Sequence, residues 1–249
     1  MTRPRLHILQ DEAALYRACA ERCADIAGEA IAARGGFHVA LSGGSTPAGL
    51  YRQLVQYEWV QRIDWSRTHI WFGDERCVPP DHPDSNFRMA HELLLTSVGT
   101  PQDQVHRMAG EQPPAQAAAA YARTLDETLP HAQGLPCFDL VLLGLGPDGH
   151  VASLFPGTAA LGERTALTTA VFVPRLAAWR ISLTFPVLEN ARHVMLMVAG
   201  AGKADVVRQA LCGPVGTEPL PVQRLQPQGE QEWFLDAAAA RRINGENCP

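Results

Sequence analysis

The chain has 249 residues, enough for one or two domains, with 46% hydrophobic, 7% aromatic and 19% charged residues. That is the balance of a globular protein that needs no disulfide or metal to hold its core. Its formal net charge of −5, from 21 basic and 26 acidic residues without a Lys/Arg run, excludes nucleic-acid binding through a basic surface. No stretch reaches the roughly 20 consecutive apolar residues of a membrane span. The opening MTRPRLHILQDE meets acidic residues before any run a signal peptide requires. A cytoplasmic protein with no nucleic-acid and no membrane partner is expected.

In chain order, residues 11–34 are Ala-rich with apolar residues at helical spacing, and Gly35-Gly36 is a natural stop. FHVAL at 37–41 is a short buried-type strand followed at once by SGGSTP, and Pro47 suits the first turn of a helix that AGLYRQLVQY continues. THIWF at 68–72 is a second strand, ending in GDER. A Pro/Asp-rich loop, CVPPDHPDS, leads to a helix from about 86 to 95, and residues 115–129 form another Ala-rich helix. FDLVLLG at 138–144 is the strongest strand and runs into LGPDGH. VFV at 171–173, ISLTF at 181–185 and HVMLMVAG at 193–200 follow as strands, then a helix over 203–212. WFLD at 233–236 is a last strand before a short Ala helix. Strands alternating with helices predict an α/β fold, a mostly parallel sheet with helices on both faces. No repeat or linker divides the chain, so 1–249 reads as a single domain.

The six cysteines, Cys19, Cys23, Cys77, Cys137, Cys212 and Cys248, include no CxxC pair, and the nine histidines show no HExxH or similar spacing. Free thiols and no metal are expected. Of the 21 basic residues only Lys203 is lysine. An ammonium is a compact point charge and a guanidinium a planar fork, so a position that is Lys in so Arg-rich a chain invites a reason.

The Gly-bearing segments SGGSTP, GDER, LGPDGH and GAGK all follow strands, at the carboxyl edge where open α/β sheets bind ligands. In SGGSTP, the helix N-terminus with the Ser45 and Thr46 hydroxyls suits an anion such as phosphate, and Gly43 and Gly44 allow close backbone approach. The alternatives are a tight turn with Ser or Thr as N-cap, or Ser42 as a nucleophile on an imperfect G-x-S-x-G elbow. In GDER, Asp74 suits a base or orienting carboxylate and Arg76 a substrate or oxyanion ligand. The alternative is a solvated ion-pair turn. His150, directly after Asp148-Gly149, brings an imidazole suited to acid–base work near neutrality. Gly144, Gly146 and Gly149 match G-x-G-x-x-G with Glu163 about 20 residues on. Against that dinucleotide reading, Pro147 sits in the turn and no strand leads into Glu163. Lys203 opens a helix, where a cation opposes the dipole unless an anion binds. Arg180, from the residues alone, is an ordinary surface charge or a second anion ligand.

FHVALSGGSTPAGLY, WFGDERCVPPDHPDSNFRMA, FDLVLLGLGPDGHVASLFPG, RISLTFPVLENA and GAGKA, in this order, resemble the 6-phosphogluconolactonase family of the glucosamine-6-phosphate isomerase/deaminase-like superfamily, from about residue 10 to WFLDAAAA. The resemblance implies a modified doubly wound α/β fold without cofactor, and hydrolysis of 6-phospho-D-glucono-1,5-lactone to 6-phosphogluconate, the second step of the oxidative pentose phosphate pathway. It implies His150 as catalytic histidine with Asp74 and Arg76 beside it. It assigns the substrate phosphate to Gly43, Gly44, Ser45, Thr46, Arg180 and Lys203. A monomer acting on a phosphorylated sugar lactone is expected. Isomerase and deaminase relatives carry an acidic residue five positions after the motif histidine, where this chain has Phe155. A non-catalytic sugar-phosphate sensor would keep the anion loop and lose the base. A serine esterase using Ser42 would react with serine-directed reagents.

Overall fold

The computed structural model of the chain describes residues 4–214 and 216–243. In chain order its strands are β1 (Arg5–Leu9), β2 (Phe37–Leu41), β3 (Thr68–Phe72), β4 (Asp74–Arg76), β5 (His131–Ala132), β6 (Leu135–Pro136), β7 (Leu140–Leu143), β8 (Thr168–Val173), β9 (Ala178–Leu183), β10 (His193–Val198) and β11 (Glu230–Asp236). Six of them form the central sheet in the order β1-β11-β10-β7-β2-β3, and every neighbouring pair is parallel.

Side chains alternate across a strand, and here both faces are covered. Val39, Leu41, Leu140, Leu142, Met195 and Met197 join one apolar cluster, with Leu15, Ile26, Leu50 and Tyr51 from helices α1 (Glu12–Arg34) and α2 (Ser45–Leu54). Ala40, Val141, Leu143, Leu196 and Val198 join the other, with Tyr121 and Leu125 of the helix Pro114–Thr128 and Val206 and Val207 of the helix Ala204–Cys212. Burial on both faces is why these strands read as continuous apolar runs. Helix α1 begins where the Asp11 carboxylate accepts the Ala14 N–H at 2.8 Å, and it stops at Gly35 in the left-handed region (φ 82°).

Several elements depart from the sequence reading. RLHIL forms edge strand β1, although its mixed exposure carries no clear strand pattern. GDER is not a solvated turn: Asp74–Arg76 is a strand, paired antiparallel with β9, which pairs antiparallel with β8. ISLTF ends as strand at Leu183, and Phe185 opens a short helix, Phe185–Glu189. The helix expected over 86–95 is α-helical over Asn86–Ala90 and becomes a π-helical turn over His91–Leu95. Cys19, Cys23, Cys77 and Cys137 are free thiols. Cys212 is disulfide-bonded, which corrects the expectation of free thiols throughout, and Cys248 lies outside the described residues. Among the described residues no helix is long and apolar enough to cross a membrane.

From β2 the chain moves outward to β3, and from β7 it moves the other way, through β10 to β11. The crevice beyond the carboxyl ends of β2 and β7 is therefore the topological switch point, where sheets of this kind bind ligands.

Candidate active site

A cavity of about 330 Å³ opens at this crevice. Gly43, Gly44, Ser45, Thr46, Asp74, Arg76, His150, Arg180 and Lys203, all singled out from the sequence, line it together.

The loop after β2 feeds helix α2 through Gly44, whose backbone (φ 104°, ψ 171°) is open essentially to glycine alone. No side chain caps α2, so the capping role proposed for Ser or Thr is not what forms, and the first N–H groups remain available to an anion. A Cβ at Gly43 would run into the Asn86 side-chain amide. The Tyr51 hydroxyl donates to the Ser42 carbonyl (2.7 Å) and accepts the Ser42 N–H (3.0 Å), which clamps the start of the loop. The Ser42 hydroxyl donates to the Gly43 carbonyl at 3.4 Å, and no described histidine or carboxylate bonds to it, so the nucleophile reading lacks a base.

The second wall is the small antiparallel sheet. Arg76 lies directly opposite Arg180 in the β4–β9 register, a pairing of like charges that destabilises a sheet by itself. Burial and then the neighbouring Arg76 push the Arg180 pKa below its ordinary value. An anion between the two guanidinium groups would relieve both effects. Asp74 is buried. Its Oδ2 accepts the Ser153 hydroxyl at 2.6 Å, and the Asn86 amide donates to its carbonyl at 2.9 Å and to Oδ1 at 3.3 Å. Glu75, also buried, accepts the N–H groups of Arg76, Asn86 and Phe87 and the Ser85 hydroxyl. It thereby folds the loop 77–85 back and caps the helix Asn86–Ala90. Burial raises the Glu75 pKa against the pull of those N–H groups.

His150 stands on the loop after β7, with Gly149 in the left-handed region (φ 77°). Gly146 makes room for the ring: a Cβ there would overlap the imidazole. These glycines serve the histidine turn. Asp148 Oδ1 lies 2.5 Å from His150 Nδ1. With Asp148 ionised, Nδ1 carries the proton and donates, and Nε2 keeps its lone pair. Burial lowers the His150 pKa and outweighs the opposite pull of Asp148 and Asp74, so the ring is neutral at pH 7. Burial works to raise the Asp148 carboxyl, but the bond to His150 and the charge of Arg175 outweigh it, and its pKa is lowered. The Phe155 ring lies 4.0 Å from the imidazole, centroid to centroid.

Lys203 closes the turn after β10, and its Nζ donates to the Leu145 carbonyl at 2.7 Å, leaving two of its three protons for other acceptors. Burial lowers its pKa while Asp148 pulls the other way. Four cations, Arg76, Arg175, Arg180 and Lys203, face the single carboxylate Asp74 among the described lining residues. The cavity is thus cationic in a chain of net charge −5.

Sequence reasoning left out Asp148, Arg175, Ser153 and Asn86. Asp148 was within reach, two residues before His150 in one turn. The others come from distant segments and carry no local signal.

The molecule is an open parallel α/β protein with a neutral histidine and a cluster of cations beyond the carboxyl edge of its sheet. Residues 10–234 match the family described as glucosamine-6-phosphate isomerases/6-phosphogluconolactonase, and the chain belongs to that family. A Nostoc sp. protein named 6-phosphogluconolactonase is 38% identical over 241 residues, covering 96% of this chain and 98% of its own length. The structure of 6-phosphogluconolactonase from Trypanosoma brucei superposes with a TM-score of 0.87 at 29% identity, covering 98% of this chain and 100% of that one. A monomeric glucosamine-6-phosphate deaminase, at 20% identity and a TM-score of 0.81 over 96% of this chain and 99% of its own, shares the fold.

Proposed function

We propose that this chain is a 6-phosphogluconolactonase, hydrolysing 6-phospho-D-glucono-1,5-lactone to 6-phospho-D-gluconate in the second step of the oxidative pentose phosphate pathway. The observation that carries the reading is one cavity that joins a neutral, Asp148-bound His150 to the opposed Arg76 and Arg180 and to Lys203. The names of the Nostoc and Trypanosoma relatives support it.

The substrate phosphate is held by Arg180, Lys203 and the loop Gly43, Gly44, Ser45 and Thr46, through charge-assisted bonds. Binding at that remote group fixes the ring, so the lactone carbonyl meets its reactants already oriented. His150 Nε2 takes a proton from water as the water oxygen attacks the carbonyl carbon. Arg76 or backbone N–H groups meet the developing oxyanion. Collapse breaks the bond from the carbonyl carbon to the ring oxygen, and the imidazolium returns its proton to that oxygen. Asp74, held by Ser153 and Asn86, is an orienting carboxylate whose fixed negative charge favours the transient imidazolium. A δ-lactone is an activated ester, so this route needs no covalent nucleophile, metal or organic cofactor. The chain acts as a single-domain monomer in the cytoplasm, without nucleic-acid or membrane partners.

The rival within the family is an isomerase or deaminase. Ring opening there uses a carboxylate, and here Phe155 packs on the imidazole instead. Incubation with fresh lactone and, separately, with glucosamine 6-phosphate divides the two readings. The proposal expects lactone loss that persists in excess chelator, and no ammonia. Ammonia release would assign the chain to the deaminase branch. Activity lost to chelator and restored by one divalent ion would overturn the metal-free route.

A further inference from the structure

The hairpin β8–β9 turns through Pro174–Leu176, and Arg175 and Leu176 at its tip line the cavity. We propose that Arg175 is a positioning residue for the reaction: it holds Asp148, and through Asp148 the His150 imidazole, in the geometry that leaves Nε2 free to take the proton of water. The inference rests on the lactonase reading above.

Each oxygen of the Asp148 carboxylate has its own partner. Oδ1 accepts from His150 Nδ1 at 2.5 Å, and Oδ2 pairs with Arg175 Nη2 at 2.8 Å. A carboxylate held from both sides cannot swing away from the ring without breaking a charge-assisted bond. The guanidinium also lies over the Phe155 ring, 4.9 Å from its centroid, and Phe155 in turn packs on His150. The contacts form a closed set: Arg175, Asp148, His150, Phe155.

Two residues beyond Arg175, Ala177 adopts a left-handed backbone (φ 46°, ψ 38°). That conformation is unfavourable for a residue with a Cβ, and such strain is typical of segments held for function. Phe172 and Trp179, exposed on the two strands, pair with ring centroids 5.5 Å apart and brace the hairpin behind the tip.

The charged groups around His150 come from several elements. Asp148 lies on its own loop, Asp74 on β4, and Arg175 at the hairpin tip, while Lys203 faces Asp148 from the turn after β10. Arg175 Nη2 is 3.5 Å from Nδ1. Both atoms are donors in this tautomer, so the contact is a cation beside the ring rather than a bond, and it opposes protonation. Its charge is the smaller influence, however: without Arg175 the Asp148 carboxylate is no longer held on Nδ1, and the support that this bond gives the imidazolium is what is lost.

The test compares wild type with Arg175→Ala and Arg175→Lys, by steady-state kinetics across pH and by NMR titration of the His150 imidazole in the resting protein. Arg175→Ala is expected to lower kcat roughly 10- to 100-fold, with KM within about threefold of wild type. The acid limb of kcat/KM and the imidazole titration should both move down by roughly half to one pH unit as the hold on Asp148 is lost. A move up would mean that Asp148 stays in place and Arg175 acts only as a charge, and would overturn the proposal. Arg175→Lys, which keeps the charge and loses the planar fork, should restore the limb and only part of kcat. A loss confined to KM would make Arg175 a substrate ligand and overturn the proposal. An unmoved limb with kcat within about twofold would reduce the contact to a surface ion pair. If the wild type hydrolyses no lactone, the functional reading fails by itself. The imidazole titration then still decides: a downward shift in Arg175→Ala supports the contact's role, and an upward shift or none overturns it.

Discussion

As the proposed base, His150 must be unprotonated before the reaction and willing to accept a proton during it, and its surroundings meet those two demands separately. Burial keeps the resting ring neutral, with a pKa below the ordinary 6.5, while Asp148 and Asp74 lower the cost of the imidazolium once it forms. Activity should accordingly hold through neutral pH and fall only as acid protonates the ring. His150→Ala should cut kcat by roughly 10² to 10⁴, the usual worth of a general base, after correction for spontaneous hydrolysis. A near-normal corrected kcat would remove His150 from the mechanism. Lys203 allows a sharper residue-level test, because its proposed contact with the substrate is the phosphate. Lys203→Ala should raise KM substantially for the phosphorylated lactone and matter far less for unphosphorylated gluconolactone, which offers the ammonium nothing to bind. The quantity to compare is the ratio of kcat/KM for the two lactones. A preference that survives the substitution would mean that the phosphate lies elsewhere.

At the scale of elements, the site is where the loop after β2, the loop after β7 and the small sheet β4-β9-β8 converge. The uncapped start of α2 and the opposed Arg76 and Arg180 are two unsatisfied electrostatic arrangements facing one cavity. A dianion bound there should stabilise the fold by mass action, by about 2.7 kcal/mol at a hundred times its Kd. Thermal unfolding with added 6-phosphogluconate should therefore show a rising Tm, and Arg180→Ala should blunt the rise. An equal rise in wild type and variant would remove Arg180 from the anion site. The elements that build this site differ in how legible they are. β2, β3, β7 and β10 are plain in the sequence because burial on both faces leaves uninterrupted apolar runs. β1 is not, since an edge strand of mixed exposure, without a buried run or a regular alternation, resembles a loop. The SGGSTP loop and His150 are legible because a glycine-rich turn directly after such a strand falls at the carboxyl edge wherever the strands lie. Arg76 facing Arg180 depends on the antiparallel register between residues about a hundred positions apart. Arg175 on Asp148 depends on a hairpin folding back over a loop. Neither has a local signature, and it is chiefly the family resemblance that singles out Arg180.

Across the whole molecule, a second titratable cluster lies outside the cavity. His38, His69 and His106 stack in series, with His106 on Trp71, and none of the three lines the site. Burial, reinforced by the neighbouring rings, lowers the His38 pKa to about 3 and that of His106 to about 4, and burial lowers that of His69. The folded protein thus excludes protons that the unfolded chain takes up below about pH 6.5. The resulting stability is complete above that value and drains away as pH falls toward 4 and then 3, by at most about 1.4 kcal/mol per pH unit for each ring. Urea unfolding at pH 7 and pH 5 should differ by roughly 2 to 4 kcal/mol, with a smaller difference in His106→Phe. Equal midpoints at the two pH values would show that the stack accepts protons freely. This acid loss of stability must be separated from the acid limb of activity, since histidines govern both.

Whether His150 is the base in hydrolysis of the phosphorylated lactone is read directly by NMR of freshly prepared 6-phospho-D-glucono-1,5-lactone. Lactone loss is followed in buffer alone, with the wild-type chain, and with His150→Ala. The account predicts that the wild type removes the lactone far faster than buffer, with 6-phosphogluconate as sole product, and that the variant returns the rate nearly to that of buffer. A wild-type trace that overlays the buffer trace, or a variant as fast as wild type, would contradict it.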